Sequence, residues 1–147
     1  MIEASDAMSE SALVDGDQVV LSFPARGDLV VLARLVASAI STRVGFDIEE
    51  LEDLRLAVGE LCLLALQGSD ARHGDLRLEF TVSTASLDIE CTLVGAVPAV
   101  TVADIEKDES EELSEQILAA LVDEYGREQA DGSVRAWLRK RRKGAVT

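Results

Sequence analysis

The sequence predicts an α/β fold, a two-layer sandwich in which a mostly antiparallel sheet carries helices on one face. Three observations lead there. Residues 75–82 and 87–93 alternate apolar with polar side chains, placing Leu76, Leu78, Phe80 and Val82, then Leu87, Ile89, Cys91 and Leu93, on one side. Strands with one apolar and one wet face belong to an antiparallel sheet covered on a single side. Residues 47–68, DIEELEDLRLAVGELCLLALQG, instead repeat their apolar side chains at helical spacing. Finally, 147 residues of which 48% are hydrophobic suffice for one ordinary core, so a single domain is expected.

Residues 1–16 are small, polar and acidic and read as a disordered leader to a domain spanning residues 17–141, with a basic tail at 142–147. A first strand covers residues 18–23, with Val19, Leu21 and Phe23 on one side, and ends at Pro24 and Gly27. Asp28 is placed to cap a helix running to about residue 43, with Leu29, Leu32, Ala33, Val36 and Ile40 as its apolar stripe. The long helix after it starts clearly. Asp47 caps it, Glu50 three residues on completes a capping box, and Phe46 can pack on Leu51 as a hydrophobic staple. Its stripe is Ile48, Leu51, Leu54, Val58, Leu61 and Ala65; residues 54–66 are apolar nearly all round, which predicts cover on more than one side.

Residues 68–75 read as a loop and residues 83–86 as the hairpin turn between the two alternating strands. A third helix is predicted over residues 110–123, with Leu113, Ile117, Ala120 and Leu121 inward. Residues 126–131 read as a loop before a last strand over residues 132–140. That strand turns Val134, Ala136 and Leu138 inward and Trp137 outward, between Arg135 and Arg139, where it can serve a partner contact or cover a sheet face. The expected order is β-α-α-β-β-α-β.

A net charge of −14 argues against nucleic acid as a partner and suits a basic partner protein, or simply solubility. No apolar run approaches the ~18 residues of a membrane span, and the N-terminus lacks the basic and apolar regions of a signal peptide, so a cytoplasmic protein is expected. Cys62 and Cys91 lie in apolar stretches, without a CxxC pair, and read as buried reduced thiols. His73 in a loop is the single histidine, which leaves no metal site and no Ser/His/Asp constellation. The basic run RKRRKG at residues 139–144 reads as a chain end facing an acidic body.

Glu60 stands out, a carboxylate among Leu56, Ala57, Val58, Leu61 and Leu64 that needs a partner or a wet cleft. The segment LEDLRLAVGELCLLALQG resembles the helix that carries the catalytic box of anti-sigma-factor serine kinases, a branch of the GHKL ATPases with their Bergerat-like fold. Leu54, Leu56, Ala57, Val58 and Glu60 match; the family's following Asn and His positions hold Leu64 and Gly68. The first strand and helix, with the pair Ala33 and Arg34, and the run ILAALVDEY at residues 117–125 extend the likeness to about residues 18–140.

The resemblance implies a general base at Glu60 and a partner-gripping arginine at Arg34, with Asp28 beside it. It also implies loss of the metal-binding amide, since Leu64 offers magnesium no oxygen. Of the family's adenine-reading Asp-x-Gly-x-Gly box, at residues 93, 95 and 97, this chain keeps only Gly95, which also suits a plain turn. The phosphate-binding glycine box is replaced by the acidic run KDESEELSEQIL at residues 107–118, and the lid at residues 96–108 is short. The function this implies is an anti-sigma factor or partner-switching regulator that sequesters a sigma factor, with nucleotide binding lost or residual, an anti-anti-sigma protein as a further partner and a homodimer as its state. ATP and magnesium enter only under the alternative, an active serine kinase.

Overall fold

Alternating strands and helical repeats assemble into one antiparallel sheet with three helices packed on one of its faces. The computed structural model describes residues 13–67, 69–70, 74–95, 97–98, 109–130 and 133–144. In chain order the elements are β1 (Gln18–Pro24), a 3-10 turn (Gly27–Leu29), α1 (Val30–Val44), α2 (Ile48–Leu66), β2 (Ser69–Asp70), β3 (Asp75–Val82), β4 (Ser86–Val94), β5 (Val97–Pro98), α3 (Glu109–Leu121), β6 (Glu124–Ala130) and β7 (Ser133–Arg141). The main sheet runs β1-β3-β4-β7-β6, and every neighbouring pair is antiparallel. The inward rows of β3, β4 and β7 meet in register, Leu78 opposite Cys91 and Cys91 opposite Ala136. They bury Leu78, Phe80, Ile89 and Leu138 against Leu54, Leu61 and Leu64 of α2. The 83–86 turn is locked by Ser83, whose hydroxyl donates to the Ser86 carbonyl at 3.0 Å and accepts from its amide at 3.0 Å.

The start of α2 is as the residues dictate. Glu50 N donates to Asp47 Oδ1 at 2.8 Å, and Asp47 N donates to Glu50 Oε1 at 3.0 Å, so each residue satisfies an orphan amide of the other. Glu50 is only 1% exposed, and its second oxygen accepts the Lys143 amide at 2.6 Å, which ties the C-terminal segment to the helix cap. Before it, α1 ends on Gly45 at φ +94°, a left-handed cap that an L side chain would strain.

Several expectations are corrected. Asp28 does not cap α1: the cap position is Leu29, without a side-chain hydrogen bond, and Asp28 sits in the 3-10 turn paired with Arg26. The buried face of α1 is Val30, Ala33, Ala37, Ile40 and Ser41, and Leu32 is exposed because the helix starts later and turns its small residues to the core. Ile48, Leu56 and Leu63 of α2 are exposed, so the helix is covered by α1, α3 and the sheet while one side stays open. In α3 the inward row is Ser114 and Leu118, one position on from Leu113, which is 56% exposed. Residues 124–130, partly read as a loop, form the edge strand β6, and residues 69–70 pair with 97–98 as a small separate ribbon. The basic run is also not a tail. Its first three residues belong to β7, where Lys140 is buried and donates to the Leu121 carbonyl at 2.8 Å. His73, residues 1–12 of the leader and nearly all of the 96–108 lid lie outside the described residues.

Candidate functional site

Glu60 lies midway along α2, half-buried, at a cleft between α2 and α3 of about 470 Å³. Leu63, Leu66, Leu113 and Ile117 form its apolar walls, and Glu60, Gln67 and Ser114 supply its polar groups. The hydroxyl of Ser114, 3% exposed, donates to Glu60 Oε2 at 2.8 Å. That bond supplies the partner a carboxylate in apolar surroundings requires. One turn further, Leu64 is fully buried and packs into the core. Gln67 Oε1 is buried in the same region without a hydrogen-bond partner among the described residues.

The far end of the cleft is braced by Arg127 on β6. Its guanidinium donates to the carbonyls of Leu64 and Gln67, each at 3.2 Å, and to Glu111 of α3 at 3.1 Å. A cation there meets the unsatisfied carbonyls and negative dipole end of α2 while tying it to α3 and the sheet edge. The sequence reading missed both Ser114 and Arg127. Ser114 stands beside the more hydrophobic Leu113, which takes the helical stripe in its place, and Arg127 lies in a stretch without apolar alternation.

Arg34 projects from the exposed side of α1 and lies across α2 at Gly59: a β-carbon built on Gly59 would fall 2.6 Å from Arg34 Nη2. With Glu52, Arg55 and Leu56 it lines a second cleft of about 330 Å³. Asp28 is exposed, and its hydrogen bond from Arg26 holds its carboxyl below the usual range. Trp137 is on the opposite face of the molecule, the outer side of the sheet, with its indole over Gly126 of β6. Both flanking arginines are engaged, Arg135 with Glu90 at 2.7 Å and Arg139 with Asp88 at 2.6 Å. Gly95 follows β4 at φ +79°, a left-handed turn position. The structure therefore brings Glu60 and Arg34 to the helix layer and leaves Trp137 across the sheet from them.

The two cysteines are buried, free and adjacent, and the hydrogen bond with Cys62, together with burial, pushes the Cys91 thiol well up. Among the described residues no group of three metal-ligating side chains is placed to hold an ion, and no helix is long and apolar enough to cross a membrane.

Residues 23–140 match the family model of the histidine kinase-like ATPase domain. The chain is 35% identical over 77 residues to the serine-protein kinase RsbW of Bacillus pumilus, which covers 50% of this chain and 48% of that protein. It is 30% identical to RsbW of Bacillus subtilis, over 51% of this chain and 48% of the relative, and 34% identical to RsbW of Listeria monocytogenes, over 50% and 48%. The matched stretch thus spans about half the length of the curated relatives. The five-stranded antiparallel sheet with helices on one face fits that fold, and the chain belongs to the histidine kinase-like ATPase domain family, within which it resembles the RsbW serine-protein kinases.

Proposed function

We propose that this chain is a partner-switching regulator of the anti-sigma type, which binds and sequesters a sigma factor, answers to an anti-anti-sigma protein, works as a homodimer and has lost its nucleotide chemistry or keeps only a remnant of it. The observation that carries this reading is Leu64. It stands where the family resemblance expects a magnesium-binding amide, and its side chain is fully buried in the core. Magnesium takes oxygen ligands in near-octahedral array, which an inward leucine does not supply. Leu93, at the position expected to read adenine, is likewise buried. Among the described residues the lining of the cleft at Glu60 offers a triphosphate no cation, since it consists of one carboxylate, one amide, one hydroxyl and four apolar side chains, and Arg127 at its far end is engaged with two carbonyls and Glu111. This lining fits magnesium nucleotide poorly.

A second reading, an active serine kinase, is favoured by one observation. Glu60 accepts a hydrogen bond from a serine hydroxyl at 2.8 Å, the relation a general base needs toward an attacking hydroxyl. Calorimetric titration with ATP and ADP, with and without magnesium to millimolar concentration, separates the two. Under the proposed function the folded protein gives no binding heat and retains a cognate sigma factor in co-purification. Magnesium-dependent heat, with phosphotransfer that Glu60→Gln abolishes, would replace the first reading by the second.

A further inference from the structure

We propose that the pocket where the C-terminal end of α1, the β3–β4 hairpin and Arg142 meet binds the phosphoryl group of a phosphate monoester, held by Arg43, Arg142 and the Thr84 hydroxyl. The pocket lies roughly 14 Å along α1 from Arg34 at helical rise, and the inference does not rest on the proposed function.

Carboxylates outnumber cations 28 to 14 in this chain, so a cation finds an acidic neighbour easily. Among the described residues eight cations hold an ion pair. The four that do not stand two and two. Arg34 and Arg55 share the helix-layer cleft with Glu52, and Arg43 and Arg142 share a pocket of about 450 Å³ at the other end of α1.

Helix chemistry answers part of the charge in this second pocket. Arg43 Nη1 donates to the Ala39 carbonyl at 3.3 Å, and Arg142 reaches over the end of α1, where a β-carbon on Gly45 would fall 3.3 Å from its Nη1. A helix end offers about half a negative charge, against two full positive ones here. Asp15, the one carboxylate in the lining, accepts the Thr84 amide at 3.0 Å and forms an ion pair with neither arginine. Asp17, two residues on, accepts the Val14 amide at 2.9 Å, and Glu49 takes Lys143, the neighbour of Arg142, at 3.2 Å. The pocket keeps a positive surplus.

Its donors come from three places. Arg43 stands in the last turn of α1, Arg142 follows β7, and Thr84 sits in the hairpin with a hydroxyl that makes no hydrogen bond among the described residues. Their backbones are fixed before a ligand arrives: the Arg142 amide donates to the Ala85 carbonyl at 2.7 Å, and the 14–17 turn is tied to Val82 by bonds of 2.7 and 2.9 Å. A planar carboxylate is satisfied by one guanidinium fork. A phosphoryl group is doubly charged and presents three oxygens, one for each of these donors. Leu13, Val14, Val44 and Val82 complete the lining, so the phosphoryl group carries an apolar body.

The test titrates the full chain with phenyl phosphate, inorganic phosphate and benzoate by calorimetry at about 0.15 M salt. Phenyl phosphate is expected to bind with a Kd of about 1 mM or below, and the other two severalfold more weakly. Arg43→Gln and Arg142→Gln should each weaken it about tenfold. Arg141→Gln, which removes the same charge one residue away where it pairs with Glu124, should leave it unchanged. Arg43→Lys and Arg142→Lys keep the charge at the helix end and the melting temperature but lose the fork, so a severalfold loss in them separates ligand binding from a structural role. The site is overturned by affinity that ignores both glutamine variants, by an equal loss in Arg141→Gln, by benzoate or inorganic phosphate binding as tightly as phenyl phosphate, or by no heat at about 20 mM ligand. A phosphoserine peptide with flanking leucines identifies the source. Binding tighter than phenyl phosphate and lost in Arg142→Gln assigns a phosphorylated protein, and weaker binding assigns a free monoester.

Discussion

The guanidinium of Arg34 lies against the α-carbon of Gly59, so close that a methyl group there would be 2.6 Å from Nη2. One residue further along α2 is Glu60, so the point where Arg34 rests and the cleft carboxylate fall on the same turn of α2. A contact at Arg34 and an occupant of the cleft act on the same segment of backbone.

Gly59→Ala should consequently separate stability from binding. The far end of an exposed arginine moves at little cost, and alanine gains about 0.5–1 kcal/mol of helix propensity over glycine. The melting temperature should rise by about 1–4 °C, followed by circular dichroism. A loss of more than about 1 kcal/mol would mean that Arg34 is held rigidly and contributes to the fold itself.

Leu64→Asn restores the side chain expected of the family's metal site, yet should not restore magnesium-dependent ATP binding. The position is fully buried. An amide there loses apolar contacts and lacks partners, a cost of about 2–5 kcal/mol in chemical denaturation. Recovery of nucleotide binding in this variant would show that α2 can turn residue 64 toward the cleft.

Arg127→Ala removes two hydrogen bonds to the end of α2 and an ion pair to Glu111 whose two side chains are each 17% exposed. The expected cost is about 2–3 kcal/mol. Arg127→Lys should recover less than half, because one ammonium cannot span three acceptors. Equal stability of alanine and lysine variants would reduce this clamp to a surface contact.

Alkaline pH should weaken the fold through Cys91. Its thiol is pushed up by Cys62 and by burial, so the native state keeps the proton that the unfolded chain releases near the ordinary thiol value of 9.0. The stabilisation is complete below that pH and is lost as the pH climbs through the folded value, at about 1.4 kcal/mol per unit for one group. Urea denaturation between pH 8 and 10.5 should show this slope, and Cys91→Ala should flatten it. An unchanged slope in the variant would assign the alkaline loss to other groups.

Much of this fold was legible where the cause is local. The capping box needs only Asp47 and Glu50 at their spacing, and both of its hydrogen bonds form. Clean alternation in β3 and β4 places every inward residue correctly, and the hairpin between them closes at the predicted turn. The edge strand β6 was illegible because EYGREQA has no apolar alternation, as befits a strand whose outer edge must discourage pairing. Asp28 had the residue type of a cap but went to Arg26, two residues away.

By itself the sequence determined the two-layer class, the long central helix with its cap, the burial of both cysteines and the family to which the chain belongs. These follow from periodicity, capping chemistry and a contiguous motif, all of which act over a few residues. Only the tertiary structure decided that Glu60 meets Ser114, 54 positions away, that Arg127 grips the end of α2 from 63 positions away, and that Arg34 rests on Gly59. Such contacts depend on the phase at which α3 rolls onto α2 and on the register of the edge strand. Both are set by packing across the whole domain, which no local window of residues contains.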